Sequence, residues 1–236
     1  MDLLTYDGTF TGWLCAVFDV YAYKLRDAAI RPVTTARPGV PTHGLPGPAR
    51  AVHTDEQKAT RVWKGLVERT SNHAARRVYA AYLSGEKGVE DQLLGYIRYV
   101  FSQPRSVEND YHHPCVRYIV DTDKKVHREK HRLEALVRFQ HTKDNLLYAL
   151  VSPDYDVLPL IKTHFEERYP HQRWLIYDTQ RKYGLFYDTR EAAVVEIYCD
   201  GVSVVDVITG NDLMGCMRHS PRGYWRFLGE MGGGRL

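Results

Sequence analysis

The chain has 236 residues, of which 26% are charged and 44% are hydrophobic, and its formal net charge is +3. These values are typical of a globular protein with a sizeable core. A charge this small does not by itself indicate a nucleic-acid-binding protein, so that function has to be argued from where the cations cluster.

Cysteine usage and hydropathy restrict the class further. There are too few cysteines for a disulfide scaffold, and none has the Cys-x-x-Cys spacing of a zinc ribbon. They are Cys15, Cys115, Cys199 and Cys216. The N-terminus lacks the apolar run of a signal peptide, and no segment has the roughly 20 apolar residues of a membrane span. The sequence therefore predicts a soluble, cytoplasmic protein with reduced thiols.

Helical patterns dominate the first half. A short strand is predicted at 3–6, and an apolar stripe with helical spacing follows from Phe10 to Tyr21. Five of the 11 prolines fall within 31–50, which excludes a helix or a central strand there. Thr54 and Gln57 form a capping-box pattern. Helical stripes follow from Ala59 to Val67, from Asn72 to Gly85, from Val89 to Ser102 and from Pro114 onward.

The second half has strand patterns around a single helix. We expect a strand from Leu133 to Gln140, a hairpin partner at 146–151, a helix from Val157, a hairpin at 174–187, and strands at 193–198 and 202–208. The order β-β-α-β-β indicates an antiparallel sheet with a helix on one face. The predicted fold class is thus α+β, with a helical layer first. The predicted regions are 1–30 (strand and helix), 31–52 (Pro/Gly-rich variable loop), 53–132 (helical) and 133–236 (α+β, forming one compact unit with the helical region).

The run VHREKHRLEALVRFQ, residues 126–140, combines the densest cations with two histidines. His127 and His131 are four apart, a spacing that metals use on a helix. Glu129 lies about 200° of helix away from His127, so it is poorly placed as a base. Cations crowd the same run and disfavour a dication, so we expect no metal. Guanidinium and ammonium groups suit phosphate, and the predicted phosphate contacts are Lys124, Lys125, Arg128, Lys130 and Arg132. A solvated helix end is the alternative.

Cations also alternate with aromatic residues in two later segments. This mixture is typical of nucleic-acid surfaces, where rings stack on bases and cations contact phosphates. The predicted contacts are Arg173, Trp174, Arg181, Lys182, Tyr224, Trp225 and Arg226. The alternative is a set of core aromatics with arginines whose stems lie along apolar surface.

Several segments together resemble one bacterial family. They are YDGTF, KATRVWKGL, VHREKHRLEALVRFQ, the block PDYDVLPLIKTHFEERYPHQRWLIYDTQRKYGLFYD and PRGYWRFL. The family they resemble is domain of unknown function 4130, described as a DNA repair or DNA metabolism protein. The chain departs from it in the proline-rich loop and in 191–219, which lacks the polar, Arg-rich helix expected before the closing motif.

The resemblance implies a function in DNA repair or modification, together with a partner protein. Members resemble partners of a radical SAM protein of DNA repair or modification, and related domains are fused to uracil-DNA glycosylase-like proteins. This chain lacks the Cys-x-x-x-Cys-x-x-Cys motif of a radical SAM enzyme, so we expect no cofactor here. The leading hypothesis is a DNA-binding accessory protein. The alternatives are a nuclease or glycosylase-like enzyme using His127, His131 or Asp178, and an interaction module for the radical SAM partner.

Overall fold

A computed structural model describes residues 1–33, 49–198, 203–210 and 213–219. The described chain divides into two compact units, with the boundary between His127 and Arg128. In this part of the chain, no helix is both long enough and apolar enough to cross a membrane. Both units contain helices and strands, so the predicted α+β class is confirmed.

The first unit contains a small parallel sheet that the sequence only partly predicts. The predicted N-terminal strand is confirmed as β1 (Asp2–Tyr6), and it lies between β2 (Ala28–Pro32) and β3 (Ala49–Ala51). Both neighbours are parallel to β1, and helix α1 (Phe10–Ala22) connects β1 to β2. The strands β2 and β3 were missed because they lie at the two ends of the proline-rich segment, and β3 has only three residues. The predicted helical layer therefore packs in a unit that also holds a sheet.

The helices of the first unit agree with the predicted stripes. They are α2 (Glu56–Arg69), α3 (Asn72–Leu83), α4 (Val89–Ser102) and the start of α5 (Pro114–Leu136). One cap differs, because the Asp55 carboxylate rather than the Thr54 hydroxyl accepts from the first free N–H groups of α2. Phe10 packs against Trp13, Trp63, Tyr79 and Tyr82, and Trp13 is fully buried. These rings are core residues, as expected for an apolar stripe.

Helix α5 continues through the segment that was predicted to be a strand. It has 23 residues and ends at Leu136, so the strand predicted from Leu133 is wrong. The alternation of apolar residues was misleading because Val126 and Leu133 are seven apart and share one buried helical face. Leu136 does not belong to that face and is 61% exposed.

The second unit is built on a six-stranded sheet in sequential order. Its strands are β4 (Gln140–His141), β5 (Leu147–Val151), β6 (Trp174–Asp178), β7 (Tyr183–Tyr187), β8 (Ala192–Ile197) and β9 (Met217–His219). The predicted hairpin β6–β7 is confirmed. β5 also has an antiparallel hairpin partner, but this partner is the two-residue strand β4 and not the strand predicted from Leu133 to Gln140. Every pairing is antiparallel except β5–β6, which is parallel because α6 (Leu158–Arg168) crosses between them. The sheet is therefore mixed rather than purely antiparallel.

The strand predicted at 202–208 is wrong. Residues Val204–Thr209 form helix α7, and α8 (Leu213–Cys216) follows it. The Ser203 hydroxyl accepts from the Asp206 N–H and caps α7. Val204, Val207 and Ile208 have the i, i+3, i+4 spacing of a helix, and they pack on the core formed by β5 to β8.

Candidate nucleic-acid interface

The part of α5 that belongs to the second unit presents one cation without a carboxylate partner. Arg128 is exposed and forms no ion pair with any residue that the structure describes. Lys130 and His131 both lie against Glu134, with Lys130 Nζ 3.5 Å and His131 Nδ1 3.1 Å from its carboxylate oxygens. The charge of Lys130 is thus partly neutralised, whereas that of Arg128 is available to an external anion.

Glu129 ties α5 to the loop that follows β5. Its side chain is only 7% exposed, and its Oε1 accepts from Arg132 Nη2 at 2.5 Å and from the Asp154 N–H at 3.1 Å. The hydrogen bond to Glu129 raises the pKa of Arg132, whose guanidinium also lies 3.9 Å from the Asp154 carboxylate. Glu129 therefore acts as an anchor that orients Arg132.

Asp178 and Arg181 organise the tight turn between β6 and β7. Asp178 is fully buried, and its Oδ1 accepts from the Gln180 N–H at 2.8 Å and the Arg181 N–H at 3.0 Å. Its Oδ2 accepts from Arg181 Nη1 at 2.8 Å. Arg181 also donates to the carbonyls of Pro153 and Asp154. Asp178 thus has a structural role here, and Arg181 clamps two loops together.

These contacts bring two of the predicted cationic stretches to one edge of the sheet. Because β5 and β6 are parallel, the loops after both strands lie at the same end. The Asp154 carboxylate lies 3.9 Å from the Arg132 guanidinium, and the Asp154 carbonyl accepts from Arg181. Lys182 follows Arg181, is exposed, and has no ion pair among the described residues. We name this set Arg128, Arg132, Arg181 and Lys182 the basic edge.

The remaining predicted contacts lie elsewhere. Arg173 precedes β6, at the opposite end of that strand, and donates to the Asp144 carbonyl at 3.1 Å. Trp174 is fully buried and stacks on Tyr187, so its ring is not available to a base in this structure. Tyr224, Trp225 and Arg226 lie outside the described residues.

Three predicted residues of α5 belong to the first unit and have partners there. Lys124 Nζ is 3.7 Å from an Asp121 oxygen, and Lys125 Nζ is 3.3 Å from Glu86. His127 Nδ1 lies 3.0 Å from the carbonyl of Asp123, one turn earlier. Within the described ranges, no group of three or more His, Cys, Asp or Glu side chains is arranged to hold a metal ion.

A cleft beside the basic edge was not predicted, and we name it the apolar cleft because most of its lining residues have aliphatic side chains. It measures about 340 Å³ and has Arg132 and Arg138 among its lining residues, with no acidic side chain. Its apolar walls include Leu133, Leu136, Val137, Ala149, Leu150 and Val151. A sequence signal existed, because Leu136 was an apolar residue at a position that the assumed strand pattern assigned to the polar face.

The family comparison covers this region. A family model described as a domain of unknown function, DUF4130, matches residues 87–230, which is more than half of the chain. The chain belongs to this family. The basic edge and the apolar cleft both lie within the DUF4130 match, whereas β1 to α3 lie before it. A search of curated proteins gave no match.

Proposed function

We propose that this DUF4130 protein binds DNA through the basic edge, as an accessory protein in a bacterial DNA repair or modification system. The observation that carries the proposal is that Arg132 of α5 and Arg181 after β6 both contact Asp154. Exposed Arg128 lies one helical turn before Arg132, and exposed Lys182 follows Arg181. Guanidinium and ammonium groups at one edge are suited to successive phosphates of a nucleic-acid backbone.

The four cations of the basic edge have different roles in this proposal. Arg128 and Lys182 have no described carboxylate partner, so they provide charge for phosphates. Arg132 and Arg181 hold the loops in place by donating to Glu129 and Asp178. Their remaining N–H groups, which these bonds do not use, can donate to phosphate. With a net charge of only +3, binding rests on these local contacts rather than on a strong overall field.

The chemistry belongs to a partner in this proposal. The radical SAM protein implied by the family resemblance is the first partner to test, followed by the uracil-DNA glycosylase-like protein. We expect the partner to copurify with this protein after nuclease treatment. Loss of the partner on nuclease treatment would show that DNA, rather than a direct contact, joins them.

The DNA proposal is tested by fluorescence anisotropy with labelled single- and double-stranded oligonucleotides over a series of salt concentrations. The logarithm of the association constant should fall linearly with the logarithm of the salt concentration. Arg128→Glu and Lys182→Glu should each weaken binding to every DNA sequence and reduce the salt slope by about 1. Arg132→Glu is not used because it would place a second carboxylate against buried Glu129.

The matched control is Arg190→Glu. Arg190 is exposed in the turn after β7, and the register of Trp174 with Tyr187 places that turn at the opposite end of the sheet from the basic edge. Arg173→Glu lies at that same opposite end and tests whether Arg173 contacts phosphate as predicted. Equal binding by Arg128→Glu, Arg190→Glu and the parent protein, or binding that does not change with salt, would refute the proposal.

A further inference from the structure

The edge of β5 that faces β4 is only partly paired. The Thr142 N–H donates to the Leu146 carbonyl at 2.9 Å, and Tyr148 pairs with Gln140. Since alternate residues of a strand direct their backbone groups to the same side, Leu150 is the next residue to face this edge. Pairing with β4 stops at Gln140, so the N–H and C=O of Leu150 have no strand partner on this side among the described residues.

The other side of β5 confirms this direction. The Leu147 N–H donates to the Arg173 carbonyl, and the Val151 carbonyl accepts from the Thr179 N–H, so these two odd-numbered residues face β6. In register, Leu150 would pair with Arg138, but that segment is not a strand and the Val137 N–H instead donates to the Leu133 carbonyl. The gap between this segment and β5 is the apolar cleft, and Leu150 lines it.

The cleft combines three features that suit one nucleobase. Most of its lining residues have aliphatic side chains, beside the polar groups of Arg132, Arg138 and Ser152, and its volume of about 340 Å³ holds a planar ring system. The Leu150 backbone offers one donor and one acceptor side by side, as the hydrogen-bonding edge of an unpaired base requires. Arg132 and Arg138 both line it, and each nucleotide of a strand has a phosphate on either side.

Arg138 is placed to contact a phosphate. It is exposed, and its Nη1 donates to the carbonyls of Ala135 and Val137 at the end of α5. Within the described residues it has no carboxylate partner, so its remaining N–H groups are available to an anion.

An extended peptide is the competing occupant of an open strand edge. Strand addition uses a run of unpaired backbone groups. Here Leu150 is the one residue of β5 beyond Tyr148 that faces the edge, because β5 ends at Val151. A single donor–acceptor pair is too short for strand addition but sufficient for the edge of one base.

We infer that the apolar cleft receives one unpaired base of single-stranded or locally opened DNA, held by Leu150 and flanked by Arg132 and Arg138. This inference rests on the proposed DNA binding by the basic edge. It adds that the protein binds a strand with unpaired bases more tightly than a sugar–phosphate backbone without bases. It does not distinguish one base from another.

The test compares binding of a dT12 strand with that of an equally long strand of abasic tetrahydrofuran units. The two strands carry the same phosphates, so contacts to the basic edge are equal and only contacts to bases differ. We expect dT12 to bind at least fivefold more tightly, because a base in the cleft buries ring surface and gains hydrogen bonds to the Leu150 backbone. On addition of dT12, but not of the abasic strand, the Leu150 amide resonance should shift in a ¹H–¹⁵N spectrum.

Leu136→Gln tests the cleft wall without changing charge. Leu136 is already 61% exposed, so the substitution should leave the fold intact. We expect it to remove most of the difference between dT12 and the abasic strand while leaving abasic binding unchanged. Val205→Gln, which replaces a 41% exposed valine on α7, is the matched control and should behave like the parent.

The outcomes separate the two proposals. Absence of binding to either strand and to duplex DNA refutes the proposed function and the inference with it, and binding to duplex DNA alone refutes the inference. Equal, salt-dependent binding of dT12 and the abasic strand refutes the inference alone. A Leu150 shift with an alternating Glu–Val peptide but not with dT12 would also overturn it, in favour of strand addition by a protein partner.

Discussion

Replacing Asp178 with alanine should strongly destabilise the second unit. Its buried carboxylate accepts from two backbone N–H groups and from Arg181 Nη1. Removing one partner of a buried ion pair costs about 3–5 kcal/mol. Arg181 is 17% exposed and keeps its bonds to two carbonyls, so we expect the lower part of this range, about 3–4 kcal/mol. Asp178→Asn keeps an oxygen for the backbone and should cost about 1–2 kcal/mol.

The matched control is Asp188→Ala. Asp188 also accepts from two backbone N–H groups, those of Arg190 and Glu191, but it is exposed and has no ion pair in the described structure. Its replacement should destabilise the unit much less, since water can satisfy the freed groups.

The free energy of unfolding is measured from hydrogen exchange of the β6 and β7 amides at increasing urea concentrations. These amides report on the second unit whether or not the first unit unfolds with it. A loss below about 1 kcal/mol for Asp178→Ala, where breaking a buried pair costs several times more, would refute the structural role. The hypothesis that Asp178 is catalytic stays a prediction. Loss of turnover on a lesion-bearing oligonucleotide without loss of stability would support it.

Two further changes test the packing of β7 and a carboxylate of the first unit. Gly184→Ala should destabilise the second unit by about 1–3 kcal/mol in the same exchange experiment, because the added Cβ would meet the Ile176 carbonyl at 2.8 Å; an unchanged stability would contradict this. Tyr99 donates to Asp110 and lowers the pKa of that carboxyl below its ordinary 3.8, so this contact stabilises the protein above about pH 4 and is lost as pH falls through the lowered pKa. Tyr99→Phe should raise the pKa of Asp110 in a carboxyl ¹³C titration, with Tyr111→Phe as the control; an unchanged titration would contradict the assignment.

The sequence predicted helices well where an apolar stripe was long and its ends had caps. It failed in α5, where Leu133, Ala135 and Val137 fit an alternating pattern although the helix continues to Leu136. Length decides such cases, since a helix of 23 residues can continue through a short ambiguous run.

The sequence predicted only part of the candidate interface. The cations of residues 128–132 are evident as a cluster, but their meeting with Arg181 and Lys182 depends on the parallel pairing of β5 with β6. That pairing is a non-local feature, and it also separates Arg173 from Arg181. The burial of Trp174 could not be predicted either, because a tryptophan beside an arginine fits a core and a binding surface equally well.

Because β1 is the central strand of its sheet, the first residues of this chain contribute to its stability. Terminal residues can often be shortened or fused to a tag with little effect, because they lie at an edge or outside the fold. Here Asp2–Tyr6 form the strand to which both β2 and β3 are hydrogen-bonded, and Leu4 and Tyr6 are almost completely buried. Deleting these five residues would leave β2 and β3 with no strand between them. Binding experiments on a protein shortened to its DUF4130 match would therefore test a chain whose first sheet cannot form.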